Sequence, residues 1–164
     1  MPARRGWLLA AGTLLLAGCG FQLRRAPALP FRTLQLTGFK ARSPLAEELR
    51  DTLNASQTTL VVDSAAQAQV ILEALTDARE KSVVASTVAG QVREFTLRSR
   101  LVFTLRTAAG RVLIASTEIV QSRDMSYNEA NALAKEQEEQ LLYRAMQNDI
   151  VAQLMRRLAA QPAP

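Results

Sequence analysis

Residues Phe95 to Thr107 constrain this chain more than any other stretch. Phe95, Leu97, Leu101, Phe103 and Leu105 fall on one side of an alternating pattern, and Arg98, Arg100 and Arg106 fall on the other. A period of two belongs to a strand with one apolar face, because successive side chains of a strand point to opposite sides. Ala109-Gly110 supplies a turn, and Val112 to Val120 reads as the antiparallel return, with Glu118 near its end. An apolar sheet face has to be covered by a second layer. The arginine row admits two readings: a solvated outer face with Glu118 as cross-strand partner, or a surface for phosphates or for an acidic wall.

The covering layer is visible at both ends of the chain. Ser43-Pro44 places an N-cap before a proline at the first helical position, and Leu45, Leu49 and Leu53 make one stripe of a helix ending near Asn54. Ser126-Tyr127-Asn128-Glu129 matches the S-x-x-E capping box and opens a helix predicted to run to Ala160. Ala134, Leu141, Ala145, Ala152 and Met155 trace one stripe on it, and Leu142, Met146, Ile150 and Leu154 trace an adjacent one. Two stripes exceed what packing on one sheet requires, so part of the second, Met146 and Ile150, is a candidate partner interface along with Arg98, Arg100 and Arg106.

Shorter elements lie between the helices. Thr33 to Thr37 alternates as a first strand ending at Gly38, Thr58 to Val62 reads as a short buried strand, and Asp63 to Gln69 as a helical turn or loop. Val70 to Glu80 reads as a strand with Val70, Leu72, Ala74 and Ala78 on one face and Glu73, Asp77 and Arg79 on the other. Ser82 to Gln91 reads as a mobile hairpin tip. The order β-α-β-β-β-β-α predicts an α+β two-layer sandwich, with two helices on one face of a four- to five-stranded mixed or antiparallel sheet.

The start of the chain addresses a membrane. Arg4 and Arg5 precede an apolar run from Trp7 to Ala17, and Leu16-Ala17-Gly18-Cys19 has the form of a bacterial lipobox. This predicts a signal peptide over 1–18 that is cleaved, with diacylglycerol and an N-acyl chain on Cys19, the sole cysteine. Two or three chains anchor durably where one is marginal. Gly20 rather than aspartate after the cysteine favours the outer membrane, on its periplasmic face. Residues 19–32, with Pro27 and Pro30, read as a tether, 33–160 as one domain and 161–164 as a disordered tail.

Composition narrows the chemistry. The chain has 164 residues and no histidine, which removes the commonest general base and metal ligand. One cysteine can form neither an internal disulfide nor a thiolate metal cluster. Loss of Arg4 and Arg5 lowers the formal charge from +5 to +3, a mild balance compatible with an anionic lipid. No enzyme activity, metal or nucleic-acid partner is expected.

On these residues the chain resembles the LptE family of lipopolysaccharide-assembly lipoproteins. The likeness is carried by Ala17-Gly18-Cys19-Gly20 followed by Phe21-Gln22-Leu23-Arg24, by Gly90-Gln91 shortly before the long strand, by Asn131-Ala132-Leu133-Ala134-Lys135-Glu136, and by Met155-Arg156-Arg157-Leu158. The resemblance implies a plug inside the β-barrel LptD, help with barrel folding, and direct binding of lipopolysaccharide by basic residues at the hairpin tip and the start of the long helix. Lys135 stands at the matching helix position. At the tip, Val88-Ala89 stand where some members carry a basic residue, and Arg93 is the candidate substitute. Arg98 and Arg100 complete the lipopolysaccharide-binding candidates. Two further readings are open on the residues alone: a free periplasmic lipoprotein that carries or senses an amphiphile, and a hydrolase built on Glu136, Glu138 and Glu139.

Overall fold

The computed structural model describes residues 27–164. Strand β1 (Thr33–Thr37) leads through helix α1 (Pro44–Ala55) to β2 (Leu60–Val62). Three long strands follow, β3 (Val70–Ser86), β4 (Val92–Thr107) and β5 (Val112–Ser126), and then helix α2 (Ala132–Ala159). The sheet order is β2-β1-β3-β4-β5. β1 runs parallel to both β2 and β3, and the β3-β4-β5 meander is antiparallel. The fold is α+β, a five-stranded mixed sheet with two helices, as the hydrophobic patterning predicts.

The core lies between the sheet and the helices. Leu34, Leu72, Leu101, Phe103 and Leu105 from the strands meet Leu49 and Leu53 of α1 and Ile150, Leu154 and Leu158 of α2, all with almost no exposed surface. Local chemistry starts α1 where the sequence places it: Ser43 Oγ accepts from the Ala46 amide at 3.2 Å, and Pro44 needs no amide partner in the first turn. Both hairpins close with the same five residue roles, Thr87-Val88-Ala89-Gly90-Gln91 and Thr107-Ala108-Ala109-Gly110-Arg111. In each, the threonine carbonyl accepts from the glycine amide at 2.9 Å, and the glycine takes a φ above +80° that side-chain-bearing residues avoid.

A β-bulge divides the sheet into two regions. The pairing of β3 with β4 shifts between Ala74 and Thr76, which leaves Leu75 as the extra residue. The last β1–β3 pair, Thr37 with Glu73, lies just before it. Gly38 passes against the bulge so closely that a Cβ on it would sit 2.2 Å from the Ala74 carbonyl oxygen, and its φ is +76°. On the near side of the bulge, β3 has β1 and β4 as neighbours. Beyond it only β3, β4 and β5 continue.

Several expectations change with this geometry. The bulge inverts the alternation of β3, so Asp77, Arg79 and Lys81 stand opposite Leu101, Ser99 and Leu97 on the helix side, and Ala78 stands opposite Arg100 on the outer side. Half of the expected mobile tip is strand: β3 extends to Ser86, and β5 extends to Ser126 rather than Val120. The second strand is an exposed edge rather than a buried one, with Leu60 60 % exposed. Packing begins before Thr33, because Leu29 and Phe31 from the expected tether are buried in the core and the Phe31 carbonyl accepts from Thr59 Oγ1 at 2.7 Å. Ser126 ends a strand instead of capping α2. Asn128 caps a short 3-10 turn, accepting from the Ala130 amide at 3.0 Å, and α2 follows from Ala132.

Candidate functional site

The cations proposed from the sequence fall on different parts of the molecule. Arg98, Arg100 and Arg106 do share the sheet face that no helix covers, as the alternation of β4 requires. That face is mixed in charge rather than basic. Arg98 stands directly opposite Glu80, Arg100 is ion-paired with Glu118, and Asp124 accepts from Thr96 beside them. Threonine and small residues fill much of the remainder, among them Thr76, Ala78 and Thr104. Arg93 lies at the third irregularity of the β3–β4 pair, where β4 has an extra residue near the hairpin tip, one step after Val84 is the extra residue of β3. Lys135 is in the first turn of α2, its side chain 18 % exposed, donating to Ser126 Oγ at 3.1 Å and to Glu138 Oε2 at 2.7 Å.

Met146 and Ile150 are not partner-facing. Both are completely buried against the sheet, Ile150 in the main core and Met146 in a smaller cluster. The broad apolar face of α2 is consumed by the protein's own two clusters. The exposed leucines of the helix are Leu133 and Leu141, at 71 % and 62 %.

What the alternation concealed is a polar ladder between β3 and the helices. Ser43 Oγ donates to Asp77, which ties the cap of α1 to β3. Arg79 donates to Gln147 Oε1 at 2.6 Å, and Gln147 donates to the Pro44 carbonyl at 2.7 Å, so this buried amide is satisfied at both ends. The Arg79 guanidinium also lies 5.2 Å from the centre of the Tyr143 ring, whose hydroxyl donates to the Glu80 carbonyl at 2.7 Å. Burial pushes the Tyr143 phenol above its ordinary value, Glu139 and Glu80 add to this, and Arg79 opposes it. Lys81 Nζ meets Glu139 Oε2 at 2.6 Å and lies 4.2 Å from the centre of the Phe95 ring. A cleft of about 620 Å³ runs beside this ladder and carries both signs of charge, from Arg79, Arg144, Glu48 and Glu139.

Lys81 therefore joins Lys135 and Arg93 toward the distal end of the meander, and sequence reasoning missed it. Asp77-Ala78-Arg79-Glu80-Lys81 alternates equally well in either phase, so only the bulge decides which side the lysine takes. Glu138 and Glu139, read as possible hydrolase carboxylates, are engaged by Lys135 and Lys81, and Glu136 is exposed. Among the described residues, no group of three or more acidic, cysteine or histidine side chains could hold a metal ion, and no helix is long and apolar enough to cross a membrane. Cys19 and the leader lie outside the described residues.

The family model for LptE, lipopolysaccharide-assembly, matches residues 31–158. This chain belongs to the LptE family. It is 28 % identical over 153 residues to the LPS-assembly lipoprotein LptE of Photorhabdus laumondii, a match covering 92 % of this chain and 82 % of that protein. It is also 28 % identical over 158 residues to the Pectobacterium atrosepticum protein of the same name, with the same coverage. Among solved structures, lipoprotein B of Nitrosomonas europaea superposes with a TM-score of 0.73 at 32 % identity, covering 86 % of this chain and 91 % of that one. The rare lipoprotein B of Shewanella oneidensis shares the fold, with a TM-score of 0.65 at 23 % identity, covering 79 % of this chain and 95 % of that one.

Proposed function

We propose that this protein is a lipid-anchored component of lipopolysaccharide assembly in the outer membrane, seated as a plug in the β-barrel LptD and binding lipopolysaccharide through cations at the distal end of its fold. Family membership over residues 31–158 carries the reading. The lipobox at Leu16-Ala17-Gly18-Cys19 supports an acylated Cys19 as the anchor on the periplasmic face. The role is non-catalytic: the domain occupies the barrel lumen, assists its folding and offers positive charge to lipid phosphates.

Two surfaces suit that role. The open sheet face, with its threonines and paired charges, is compatible with a polar barrel lumen. Arg98, Arg100 and Arg106 are its candidate contacts, and their balance by Glu80 and Glu118 favours a protein wall over bulk anion binding on this face. Lys135, Arg93 and Lys81 are the candidates for phosphate. Among the described residues the space between sheet and helices is filled by Leu34, Leu49, Leu72, Phe103 and Ile150, which weighs against the alternative of a free amphiphile carrier.

The partner claim is tested by native purification from outer membranes at natural copy number. Recovery of a large β-barrel in equal amount is expected, and its absence would overturn the claim. The phosphate claim is tested by Lys135→Asp, which is expected to weaken lipopolysaccharide binding while the thermal transition is kept. Unchanged binding would remove Lys135 from the site.

A further inference from the structure

The chain enters the fold beside an open groove. Leu29, Pro30 and Phe31 form one wall, Thr59 and Leu60 form the other, and the space is about 700 Å³. Its base is firm: Leu29, Phe31 and Thr59 are buried, and Thr59 Oγ1 donates to the Phe31 carbonyl at 2.7 Å. Its rim is apolar and uncovered, because Leu60 stands largely exposed at the start of edge strand β2. Sheet edges are commonly covered or charged, and Leu60-Val61-Val62 carries no charge. Arg32 is the one charged residue lining the groove among the described residues. Such a surface favours an apolar occupant over an ion.

A short apolar segment of the same chain lies within reach. Residues 19–26 precede Pro27, the first described residue. In an extended run Phe21 and Leu23 share one side, and Gln22 and Arg24 the other. Five residues separate Leu23 from Leu29, a connection of ordinary hairpin length. We propose that Phe21 and Leu23 dock in this groove and hold the proximal end of the fold close to the membrane leaflet that carries the anchor. The inference rests on the reading of Cys19 as the acylated residue and adds a seat for the segment that follows it. Docking within one chain starts from a high effective concentration, so two side chains suffice where a separate partner would need a far larger surface. Docked, only Gly20 stands between Cys19 and Phe21, which brings the acylated residue within about 7 Å of the groove. Free, the ten residue steps from Cys19 to Leu29 would span up to about 35 Å. The groove thus shortens the arm of the anchor and turns Leu60 and Asn54, at the end of α1, toward the lipid.

The test uses the mature full-length chain in two forms: Cys19→Ser without lipid, and the acylated protein in nanodiscs of phosphatidylethanolamine and phosphatidylglycerol. In the first form, nuclear Overhauser contacts between the Phe21 ring and the Leu60 methyls are expected. Phe21→Ser and Leu23→Ser should each lower the ratio of docked to free segment about tenfold, read from the amide shifts of Thr59 and Leu60. Leu60→Lys, at an exposed position, should release the segment from the other side while the pairing of β1 with β2 is kept. In nanodiscs, relaxation by a spin-labelled headgroup is expected to reach Gln57 and Thr58 and to spare Gly90 at the far tip, and this contrast should fade in Phe21→Ser/Leu23→Ser. No contact between Phe21 and Leu60, with the Thr59 and Leu60 shifts unmoved by the substitutions, would overturn the docking and leave the anchor reading intact. A groove contacted by lipid acyl chains instead of Phe21, or by a second copy as concentration rises, would overturn it equally. A wild-type chain recovered from cells without lipid on Cys19 would remove the anchor reading, and with it the membrane placement, while contacts in Cys19→Ser would keep the docking.

Discussion

On the near side of the bulge, β3 is flanked by β1 and β4 and packs under both helices; beyond it, β3 keeps only β4 and faces mainly the second helix, with α1 reaching it at the Ser43 cap. The same strands pass through both regions, yet different forces hold them. The proximal region buries Leu34, Leu72, Phe103, Leu105, Ile150 and Leu154 in one continuous core. The distal region has a cluster of four buried residues, Leu97, Met125, Tyr143 and Met146, and is otherwise joined by the ladder from Asp77 to Lys81. Apolar burial is not screened by ions, and excluded salts strengthen it. Partly exposed charge pairs are screened by salt and yield to competitors. The division thus gives one chain a base held by burial and an end whose contacts depend on salt.

Making one substitution in each region gives the largest effect and the sharpest contrast. Leu72 and Leu97 are both completely buried. Leu72→Ala, where sheet and helices enclose the side chain, is expected to cost about 4 kcal/mol, near the upper part of the range for such truncations. Leu97→Ala is expected to cost about 2 kcal/mol, because its cluster with Met125, Tyr143 and Met146 is small and flexible methionines can settle into the space. Denaturant titration of both variants checks this, and equal losses would break the distinction between the regions.

Gly38→Ala comes next, since it strikes the boundary itself. A methyl group there meets the Ala74 carbonyl at 2.2 Å in a left-handed conformation. A loss of roughly 2 kcal/mol is expected, together with altered exchange of the β3 amides that flank Leu75. Tyr143→Phe deletes one hydrogen bond to the Glu80 carbonyl and should cost about 1 kcal/mol. It also changes the alkaline limb. The folded-state phenol titrates above its ordinary 10.0, so its contribution is complete below pH 10 and is lost as pH rises through the folded value. Melts above pH 10 should show that part of the decline absent in Tyr143→Phe. The smallest effect belongs to Lys81→Gln, which breaks the pair with Glu139. Both side chains are partly exposed, and the stability change should stay below about 1 kcal/mol, a sign that this contact serves positioning more than folding.

Much of the proximal region was legible in the sequence. The phase of β4 from Phe95 to Leu105, the Ser43-Pro44 start of α1 and the Leu45-Leu49-Leu53 stripe each rest on local chemistry, and each stands in the structure. In the distal region the phase of β4 was legible and that of β3 was not, for one reason repeated along β3. The register of a strand past a bulge depends on its neighbours, and Asp77 to Lys81 carries no pattern that distinguishes one phase from the other. Errors about the helix follow from the same cause. Met146 looked like spare apolar surface because its separate cluster with Leu97 and Met125 requires the extended lengths of β3 and β5. Ser126 looked like a cap because its place at the end of β5 is set by pairing with Glu94 across the sheet.

Polar contacts hold the first turns of α2 to the sheet, Lys81 to Glu139 and Lys135 to Ser126, and burial holds the remainder. Amide hydrogen exchange along the helix, compared at low and high salt, tests this most directly. Protection of residues 132–142 is expected to fall as salt rises, and to fall likewise in Glu139→Gln and Lys81→Gln, which break the pair between helix and β3, while residues 146–158 exchange only through global unfolding. Uniform protection along the whole helix, unmoved by salt and by the substitutions, would contradict it.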